Sequence, residues 1–320
     1  MVLGCSGGAD SLALAAAVAF ECGHQAARAS VGASARNLRP VLVVVVDHGL
    51  HPDSAEVAAT AATTCRDLGL PDVLVVPVTV PLGPGTGGLE AAARTQRHRV
   101  LTEQAARFGA AAVLLAHTRD DQAETVLLRL ARGSGARSLA GMAAVSGHLR
   151  RPLLGLTRAQ TVQACRALGL CVWSDPANAD PRFLRSRVRH ELLPALEAQL
   201  GPGVAAALAR TAAQLRADAD ALDALAAAAL GAALVHGATH LELLRAPVLA
   251  LPSALRDRVL LGFARALGSP PGALGAVHVA ALSDLLLDHR GRGPIWLPGG
   301  VAVHRRDDRL SAVTVGTGGR

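Results

Sequence analysis

The ten residues VLGCSGGADS, at positions 2–11, decide the fold of this chain, because a short apolar run passes there into a glycine-rich turn and then into a helix. Gly7 and Gly8 let backbone N–H groups turn toward an anion, the serines add hydroxyl donors, and the helix start adds partial positive charge. We expect Asp10 to assist a Mg²⁺ ion that shields the phosphates. A plain strand–helix turn is the alternative. The predicted phosphate-binding loop consists of Ser6, Gly7, Gly8, Ala9, Asp10 and Ser11.

Around this loop, apolar β-branched runs alternate with longer amphipathic stretches, which is typical of βαβ units and a parallel sheet. The runs lack the polar alternation of half-exposed strands, so we expect helices to cover both faces of the sheet. Thr157 and Gln160 form a predicted capping box for a further helix that runs to Leu168. The fold class is therefore α/β, with a doubly wound, mostly parallel sheet. The predicted strands are 2–5, 41–46, 73–80 and 112–116, and the predicted helices are 9–21, 54–68, 88–107 and 120–132.

Polar residues also follow two other strands, and open parallel sheets bind their ligands at these carboxyl ends. Asp47 and His48 end the second strand, where Asp47 suits an adenine, a ribose or Mg²⁺ but is equally typical of a turn or helix cap. His117, Asp121 and Glu124 follow the fourth strand. Asp121 and Glu124, three residues apart on a helix, repel each other unless a cation such as Mg²⁺ or an ammonium group lies between them. A plainer explanation for these acidic residues is that they favour a helix N-terminus. It accounts for Asp121 better than for Glu124.

The composition excludes several classes of protein. All 32 basic residues are arginines, so the lysine of a Walker nucleotide site or of a protein kinase is missing. The net charge of +7 is compatible with a polyanionic partner. Apolar runs stay below the roughly 18 residues of a membrane span. No secretory signal is visible, and the 5 cysteines form no C-x-x-C pair. We therefore expect a cytoplasmic protein without membrane contact. Separately, we expect Trp173 and Trp296 to lie in the core and not to stack on bases.

The pattern changes to alanine-rich and helical from about residue 187. It predicts a smaller, mainly helical domain that ends in short strands near Ile295, Val301 and Leu310. The helix-breaking sequence Gly201-Pro202-Gly203 leads us to expect a catalytic domain over 1–200 and a substrate-binding domain over 201–320.

A run of arginines at 182, 185, 187 and 189 precedes that change. Charge runs usually form solvated helix faces. Few carboxylates lie among these arginines, however, and the loop that carries them leads into a helix beside the predicted site. We therefore expect this loop to contact phosphates of RNA or of a nucleotide.

Together, these motifs resemble the N-type ATP pyrophosphatases, also called the PP-loop superfamily, and within it tRNA(Ile)-lysidine synthetase. Residues 6–11 alone are similar only to the superfamily. The His117–Thr125 block and the Arg185–Pro194 block are what make the chain similar to the family. The resemblance is dense over about 2–200, thins in the helical part and returns near 291–305. Its motifs are Ser6–Ser11, Val46–Leu50, Leu89–Arg94 with Arg97, His117–Thr125, Arg132–Gly135, Arg151–Leu154, Asp175–Asn178 and Phe183–His190.

The resemblance implies an enzyme that uses ATP to adenylate C2 of the wobble cytidine in a CAU-anticodon tRNA-Ile. Free L-lysine then attacks that carbon, which releases AMP and gives lysidine. By this resemblance, Ser6–Ser11, Asp47 and His48 bind ATP, and Asp10 assists Mg²⁺. His117, Asp121 and Glu124 bind lysine or act in catalysis. The implied contacts to tRNA or other phosphates are Arg94, Arg97, Arg185 and Arg189.

Other classes stay open at this point. A tRNA thiolation enzyme uses the same ATP chemistry, but such relatives typically carry paired cysteines. An amide-forming relative would not need the basic loop or the helical tail. The non-enzymatic alternative is an RNA-binding module with a vestigial nucleotide loop. Ser186 stands where relatives typically have Asn, and His51 where they often have Arg. The sequence begins almost inside the first predicted strand, and we expect the chain to resemble the shorter members of the family, which lack a further C-terminal domain. A homodimer is kept as an alternative to a monomer.

Overall fold

The protein forms two compact units, Met1–Arg216 and Ala217–Arg320. Ser134 and Gly291, which belong to the sequence motifs above, lie outside the described residues. The assignment of separate roles to 1–200 and 201–320 stays a prediction. The computed structural model describes residues 1–30, 40–81, 88–133, 135–237, 241–287 and 293–314.

A six-stranded sheet lies at the centre of the first unit. It is made of β1 (Val2–Cys5), β2 (Leu42–Asp47), β3 (Val73–Pro77), β4 (Val113–Leu114), β5 (Val145–Ser146) and β6 (Leu149–Arg150). The strand order is β3-β2-β1-β4-β6-β5, and all neighbours pair in parallel except β5 and β6. Because β1 lies between β2 and β4, the segments that follow these three strands meet at one edge of the sheet. The predicted doubly wound α/β fold is confirmed.

The helices of this unit agree closely with the helical periodicity of the sequence. The capping box at Thr157 and Gln160 is formed, with Thr157 Oγ1 accepting from the Gln160 backbone N–H at 3.1 Å. A 3-10 helix lies at Pro176–Ala179, and an α-helix at Leu184–Arg187 passes into a π-helical turn at Val188–Leu192. Arg185 and Arg189 therefore lie on helical turns, and the loop expected for the arginine run is wrong at these two positions. The α-helices are α1 (Ala9–Ser30), α2 (Ser54–Asp67), α3 (Leu89–Arg107), α4 (Arg119–Leu130), α5 (Ala136–Leu139), α6 (Arg158–Ala167), α7 (Leu184–Arg187), α8 (Leu193–Leu200) and α9 (Val204–Ala233), the last of which continues into the second unit.

The central strands are buried on both faces, as expected for a parallel sheet covered by helices. Leu3 and Val43 lie in one cluster with residues of α1 and α2, whereas Val2 and Val44 lie in another with residues of α3. The prediction fails at the edge strand β3, which ends at Pro77 instead of residue 80. Leu74 in this strand is 37% exposed, and β3 has a strand neighbour on one side only among the described residues.

The second unit packs helices against an antiparallel sheet around a core that includes Phe263 and Leu285. The strands expected near 295, 301 and 310 are present, and two further strands precede them. The expected core position of Trp296 is wrong, since its side chain is 60% exposed on the edge strand of the sheet. The elements are β7 (Leu234–His236), β8 (Leu241–Leu244), α10 (Arg245–Leu249), α11 (Ser253–Ala266), α12 (Ala276–Leu287), β9 (Ile295–Leu297), β10 (Val301–Arg306) and β11 (Arg309–Thr314), in the sheet order β7-β8-β11-β10-β9.

Within the described ranges, no single helix is both long enough and apolar enough to cross a membrane. Two consecutive helical segments, Leu184–Leu200 and Val204–Ala233, have the length and apolar composition of a membrane span only when they are counted together. The chain bends by 98° between them.

Candidate active site

The loop between β1 and α1 is held in shape by its own serines. Ser11 Oγ accepts from the Ser6 backbone N–H at 3.1 Å and donates to the Gly8 carbonyl at 2.9 Å. Gly7 adopts a φ of 79°, and a Cβ atom built there would lie 3.2 Å from the Cβ atom of Ala61. The loop therefore needs glycine at position 7 for both backbone conformation and space. Its shape fits the expected phosphate-binding loop, a role that stays a prediction.

Asp10 lies at the start of α1 and faces helix α6. Thr161 Oγ1 donates to Asp10 Oδ1 at 2.5 Å, and Arg158 Nε lies 3.5 Å from Asp10 Oδ2. Burial raises the pKa of Asp10, although the hydrogen bond from Thr161 and the charge of Arg158 oppose that shift. Asp10 is thus a partly buried carboxylate, with 23% of its side chain exposed, and not a freely solvated loop residue.

Asp121 and Glu124, called here the carboxylate pair, lie on the first turns of α4 and are both buried. The cations next to them are guanidinium groups. Arg185 Nε donates to Glu124 Oε2 and Arg189 Nε to Glu124 Oε1, each at 2.7 Å. Arg158 Nη2 donates to Asp121 Oδ1 at 2.9 Å. The mutual repulsion of the pair is therefore offset by three arginines, which we call the arginine trio.

The other oxygen of Asp121 satisfies the start of its own helix. Asp121 Oδ2 accepts from the Thr118 backbone N–H at 2.8 Å and from the Thr118 hydroxyl at 3.0 Å. Burial alone would raise the pKa of Asp121, but Arg158, Arg185 and the Thr118 backbone N–H together outweigh burial and hold the pKa below its ordinary value. Asp121 thus combines the plain role of a helix-start acid with that of a charged site residue.

His117 precedes the carboxylate pair at the end of the fourth strand. Its Nδ1 atom is buried and has no hydrogen-bond partner within the protein. Desolvation lowers the pKa of His117 to about 3, although Asp121 opposes the shift. The imidazole is therefore neutral at physiological pH and is able to accept a hydrogen bond from a ligand.

Asp47, His48 and Arg97 form a second group, at the end of β2. Asp47 Oδ1 accepts from the Gly49 backbone N–H at 3.0 Å, so the carboxylate stabilises its own turn. His48 Nε2 lies 3.4 Å from Arg97 Nε, and desolvation together with the charge of Arg97 lowers the pKa of His48 to about 4. Desolvation and then the nearby Arg94 lower the pKa of Arg97. This crowding of positive charge favours an anionic ligand.

Arg94 lies near the carboxylate pair without a hydrogen bond to it. Its pKa is lowered by desolvation and then by the charge of Arg185, while Asp121 acts in the opposite direction. Arg182, in the same basic segment as Arg185, is turned away and pairs with Asp180 at 2.7 Å. The basic segment, residues 182–189, therefore contains arginines that enter the site, Arg185 and Arg189, and at least one, Arg182, that faces solvent.

Trp173 closes one side of the phosphate-binding loop. Its backbone N–H donates to the Gly7 carbonyl at 3.1 Å. Its half-buried side chain lines a cavity of about 280 Å³ together with Gly7, Thr60 and Thr64. The expected core position of Trp173 is therefore wrong. Its side chain lines the cavity beside the loop.

Arg158 and Thr161 belong to the site but could not be placed in it from the motifs of the sequence. Arg158 contacts Asp10 and both members of the carboxylate pair, and Thr161 binds Asp10. One signal was available: Arg158 is the first residue of α6, where a cation is unfavourable beside the positive end of the helix dipole. A basic residue in that position indicates acidic partners elsewhere in the fold.

A Mg²⁺ ion fits this site only as a partner of bound phosphates. Among the described residues, no group of three or more His, Cys, Asp or Glu side chains is arranged to hold a metal by itself. Mg²⁺ is commonly bound by one or two carboxylates together with substrate phosphates and water. The partly exposed Asp10 carboxylate, at the phosphate-binding loop, meets that requirement.

Comparison with known proteins agrees with this architecture. A family model described as the PP-loop domain matches residues 1–196, and one described as the TilS substrate binding domain matches residues 243–311. The U34-tRNA thiolase NcsA from Methanococcus maripaludis has a similar structure, with a TM-score of 0.50, 18% identity and coverage of 67% of this chain and 71% of that one. This likeness is one of fold alone. The loop, the sheet and the family model define a PP-loop enzyme.

Closer relatives narrow the class. The chain is 50% identical to the tRNA(Ile)-lysidine synthase of Salinispora tropica, over 99% of this chain and 91% of that protein. It is 50% identical to the same enzyme of Thermobifida fusca, over 97% and 90%, and 51% identical to that of Streptomyces coelicolor, over 97% and 84%. The chain belongs to the tRNA(Ile)-lysidine synthase family.

Proposed function

We propose that this chain is a ligase that joins free L-lysine to C2 of the wobble cytidine in a CAU-anticodon tRNA-Ile, with ATP as the energy source. Lysidine, AMP and diphosphate are the products. The observation that carries the proposal is the contact of Arg158 with both Asp10 and the carboxylate pair. The loop assigned to phosphate and the carboxylates assigned to an amine are adjacent there, and this arrangement supports an adenylation followed by attack of an amine.

The reaction divides into two steps. The C2 oxygen of the cytidine attacks the α-phosphorus of ATP, and diphosphate leaves. A lysine amine then attacks C2, and the C2 oxygen leaves with AMP. The loop Ser6–Ser11 supplies backbone and hydroxyl donors for the phosphates, while Asp47 and His48 lie at the neighbouring strand end for the nucleoside.

The carboxylate pair is the proposed lysine site. Fixed carboxylates hold one ammonium group of lysine and so orient the other amine toward C2. The attacking amine has to lose a proton, for which Asp121, Glu124 or neutral His117 are the acceptors within the site. The low pKa of His117, a consequence of burial, keeps its imidazole free to accept a hydrogen bond at neutral pH.

The arginines are the proposed phosphate and transition-state contacts. Arg94 and Arg97 lie among like charges that an anionic ligand would offset. Arg185 and Arg189 contact Glu124 and keep 19% and 20% of their side chains exposed, and we assign them to the charge that develops on the activated cytosine. Asp10 is the proposed Mg²⁺ contact, and the ion neutralises phosphate charge when bound.

The partners follow from this chemistry. They are ATP, free L-lysine and tRNA-Ile with a CAU anticodon, and we place the reaction in the cytoplasm, as expected from the sequence. The protein acts as a monomer or a homodimer, which sedimentation of the protein with and without tRNA distinguishes.

Incorporation of labelled lysine tests the proposal. The protein is incubated with ATP, Mg²⁺, labelled lysine and a CAU-anticodon tRNA-Ile transcript. We expect label in the RNA and one AMP per lysine incorporated. A matched transcript with U in place of C at the wobble position should stay unlabelled. Labelling of both transcripts, or AMP release without lysine in the RNA, would contradict the proposal.

A further inference from the structure

Every oxygen of the carboxylate pair already has a partner. The two Glu124 oxygens accept from Arg185 Nε and Arg189 Nε at 2.7 Å each, and the Glu124 side chain has no exposed surface. Asp121 Oδ1 accepts from all members of the arginine trio, at 2.9 to 3.4 Å, and Asp121 Oδ2 is occupied by Thr118. A lysine ammonium group therefore finds no free carboxylate oxygen in this arrangement.

This arrangement brings two parts of the proposed function into competition. The residues proposed for phosphates, Arg185 and Arg189, are bound to the residues proposed for lysine, Asp121 and Glu124. Both sets of groups cannot reach their substrates while they bind each other. One set has to be released before the other ligand enters.

Charge indicates what releases them. Asp10 and the carboxylate pair carry three negative charges, and the arginine trio carries three positive charges. These six charges thus balance, and Asp120 beside Arg158 and Arg94 near the pair add one further charge of each sign. Asp10 and each arginine of the trio are only about a fifth to a quarter exposed. An added ammonium group would introduce an uncompensated charge into a largely buried site, which is unfavourable. A phosphate that draws an arginine outward leaves a carboxylate charge that the ammonium group then offsets.

The members of the arginine trio differ in how firmly they are held. The backbone N–H of Arg158 donates to Asp120 at 2.8 Å, and its guanidinium group also contacts Asp10, so it is anchored at both ends of its side chain. Arg185 and Arg189 have no comparable second anchor among their described contacts. The side chains of Arg185, Arg189 and Arg158 are 19%, 20% and 26% exposed, whereas that of Glu124 is fully buried, so an approaching phosphate meets the arginines before Glu124, and the second anchor of Arg158 is what sets it apart.

We propose that the carboxylate pair is closed to lysine in the free protein and opens when a phosphate of tRNA or ATP takes Arg185 and Arg189, while Arg158 stays in place. This inference rests on the proposed function and adds an order to it, with phosphate-bearing substrates binding before lysine. The same two carboxylates thus serve guanidinium groups first and the lysine substrate second. Free lysine is thereby kept from the site until a substrate that it can react with is present.

Equilibrium dialysis of labelled lysine tests the order directly. Lysine affinity is measured for the wild-type protein alone, with the CAU-anticodon tRNA-Ile transcript, and with α,β-methylene-ATP and Mg²⁺. No arm allows turnover. We expect at least a tenfold gain in lysine affinity in the tRNA arm or in the nucleotide arm, and the arm that responds identifies which phosphate moves the arginines. Lysine must increase the affinity for that same ligand by the same factor, because coupling between two binding sites is reciprocal.

Variants separate the arginine exchange from a general ordering of the protein by RNA. Arg189→Ala should bind lysine at least tenfold more tightly than wild type without any phosphate ligand, and should lose most of the gain on adding it. Arg189→Lys carries its own ammonium group and should keep the site closed. Arg182→Ala, the matched control from the same segment, removes an equal charge that pairs with Asp180 instead, and should leave lysine affinity unchanged.

The outcomes distinguish this inference from the function beneath it. Equal lysine affinity in all three wild-type arms, together with lysine incorporation in the complete reaction, would overturn the ordered exchange and leave the ligase function standing. Absence of lysine incorporation would overturn both. If Arg189→Ala fails to fold, Arg185→Ala and the wild-type comparison still decide the question.

Discussion

Arg158 joins the two halves of the site and shows what a single residue contributes here. Its position at the start of α6 opposes the helix dipole, at a typical cost of 0.3 to about 1 kcal/mol, and four acidic neighbours offset that cost. Burial would lower the pKa of Arg158, but Asp121 and Glu124, followed by Asp10 and Asp120, raise it. The guanidinium group therefore stays charged and holds the phosphate-binding loop beside the carboxylate pair.

Asp10→Asn tests the phosphate-binding loop. Asparagine keeps the shape of the side chain and an oxygen that accepts the hydrogen bond from Thr161. Alanine would remove both from a partly buried position. We expect AMP formation in the complete reaction to fall at least about a hundredfold, because the charge next to the phosphates is lost. Asp53→Asn, an exposed change near the start of α2, is the control. Wild-type AMP formation by folded Asp10→Asn would remove Asp10 from the proposed mechanism.

We expect the folded protein to lose stability in mild acid because of His117. Its pKa is lowered from 6.5 to about 3, mainly by desolvation, so between these values the unfolded chain binds a proton that the folded protein does not. The contribution of His117 to the free energy of unfolding is therefore fully present above pH 6.5 and is lost as the pH falls toward 3. From pH 7.5 to 5.5 the free energy of unfolding should drop by up to about 1.4 kcal/mol on account of this residue.

Urea unfolding at the two pH values measures this difference. Trp173 fluorescence in a Trp296→Phe background reports on the first unit alone. His117→Gln should show a smaller drop between pH 7.5 and 5.5 than the parent protein, whereas exposed His148→Gln should not. Identical pH dependence of the parent and His117→Gln would contradict this account, because it would show that the pKa of His117 is the same in the folded and the unfolded state.

At the scale of elements, the β1–α1 loop has the strictest requirement for one residue. Alanine at position 7 would need a positive φ, which costs L-residues roughly 1–2 kcal/mol, and would press against Ala61. Gly7→Ala should therefore lower the free energy of unfolding by about that amount. Gly8→Ala in the same loop has no strained φ and no contact under 3.7 Å, so its effect should stay within about 0.5 kcal/mol. Equal losses for both variants would contradict this account of the loop.

The elements that could be predicted from the sequence are those with enough residues to show a period. Helices α2 and α3 agree with the expected bounds to within a residue or two, because their apolar faces repeat over several turns. Strands β5 and β6 have two residues each and carry no period. Strand β7 follows α9 directly, so the alanine-rich helical pattern hides its start. Helix α1 continues through Gly23, a residue that lowers helix propensity by about 1 kcal/mol without ending this helix.

The candidate site was predictable in part for a similar reason. Residues that follow strands, such as Asp10 and Asp121, could be placed together because parallel strands end at one edge. The pairing of Arg185 and Arg189 with Glu124 spans more than 60 residues of sequence and leaves no local pattern. A charge run indicates a basic segment, and only the fold decides which of its arginines faces inward.

At the scale of the whole molecule, the net charge of +7 should make tRNA binding depend strongly on salt. Arg94→Ala should reduce the slope of log affinity against log salt by about 0.7 to 0.9, the value for one phosphate contact. Arg99, on the same helix, is paired with Glu103 at 2.7 Å. Arg99→Ala should therefore change the slope little. An unchanged slope in Arg94→Ala would place Arg94 outside the RNA contact.

Mass spectrometry of the wobble nucleoside tests the central claim most directly. The CAU-anticodon tRNA-Ile transcript is incubated with the protein, ATP, Mg²⁺ and lysine, then digested to nucleosides. The proposed reaction predicts one modified cytidine, heavier by the mass of lysine minus one water, only when ATP and lysine are both present. A wobble cytidine that stays unmodified in the complete reaction, or a mass gain that does not require lysine, would contradict the account.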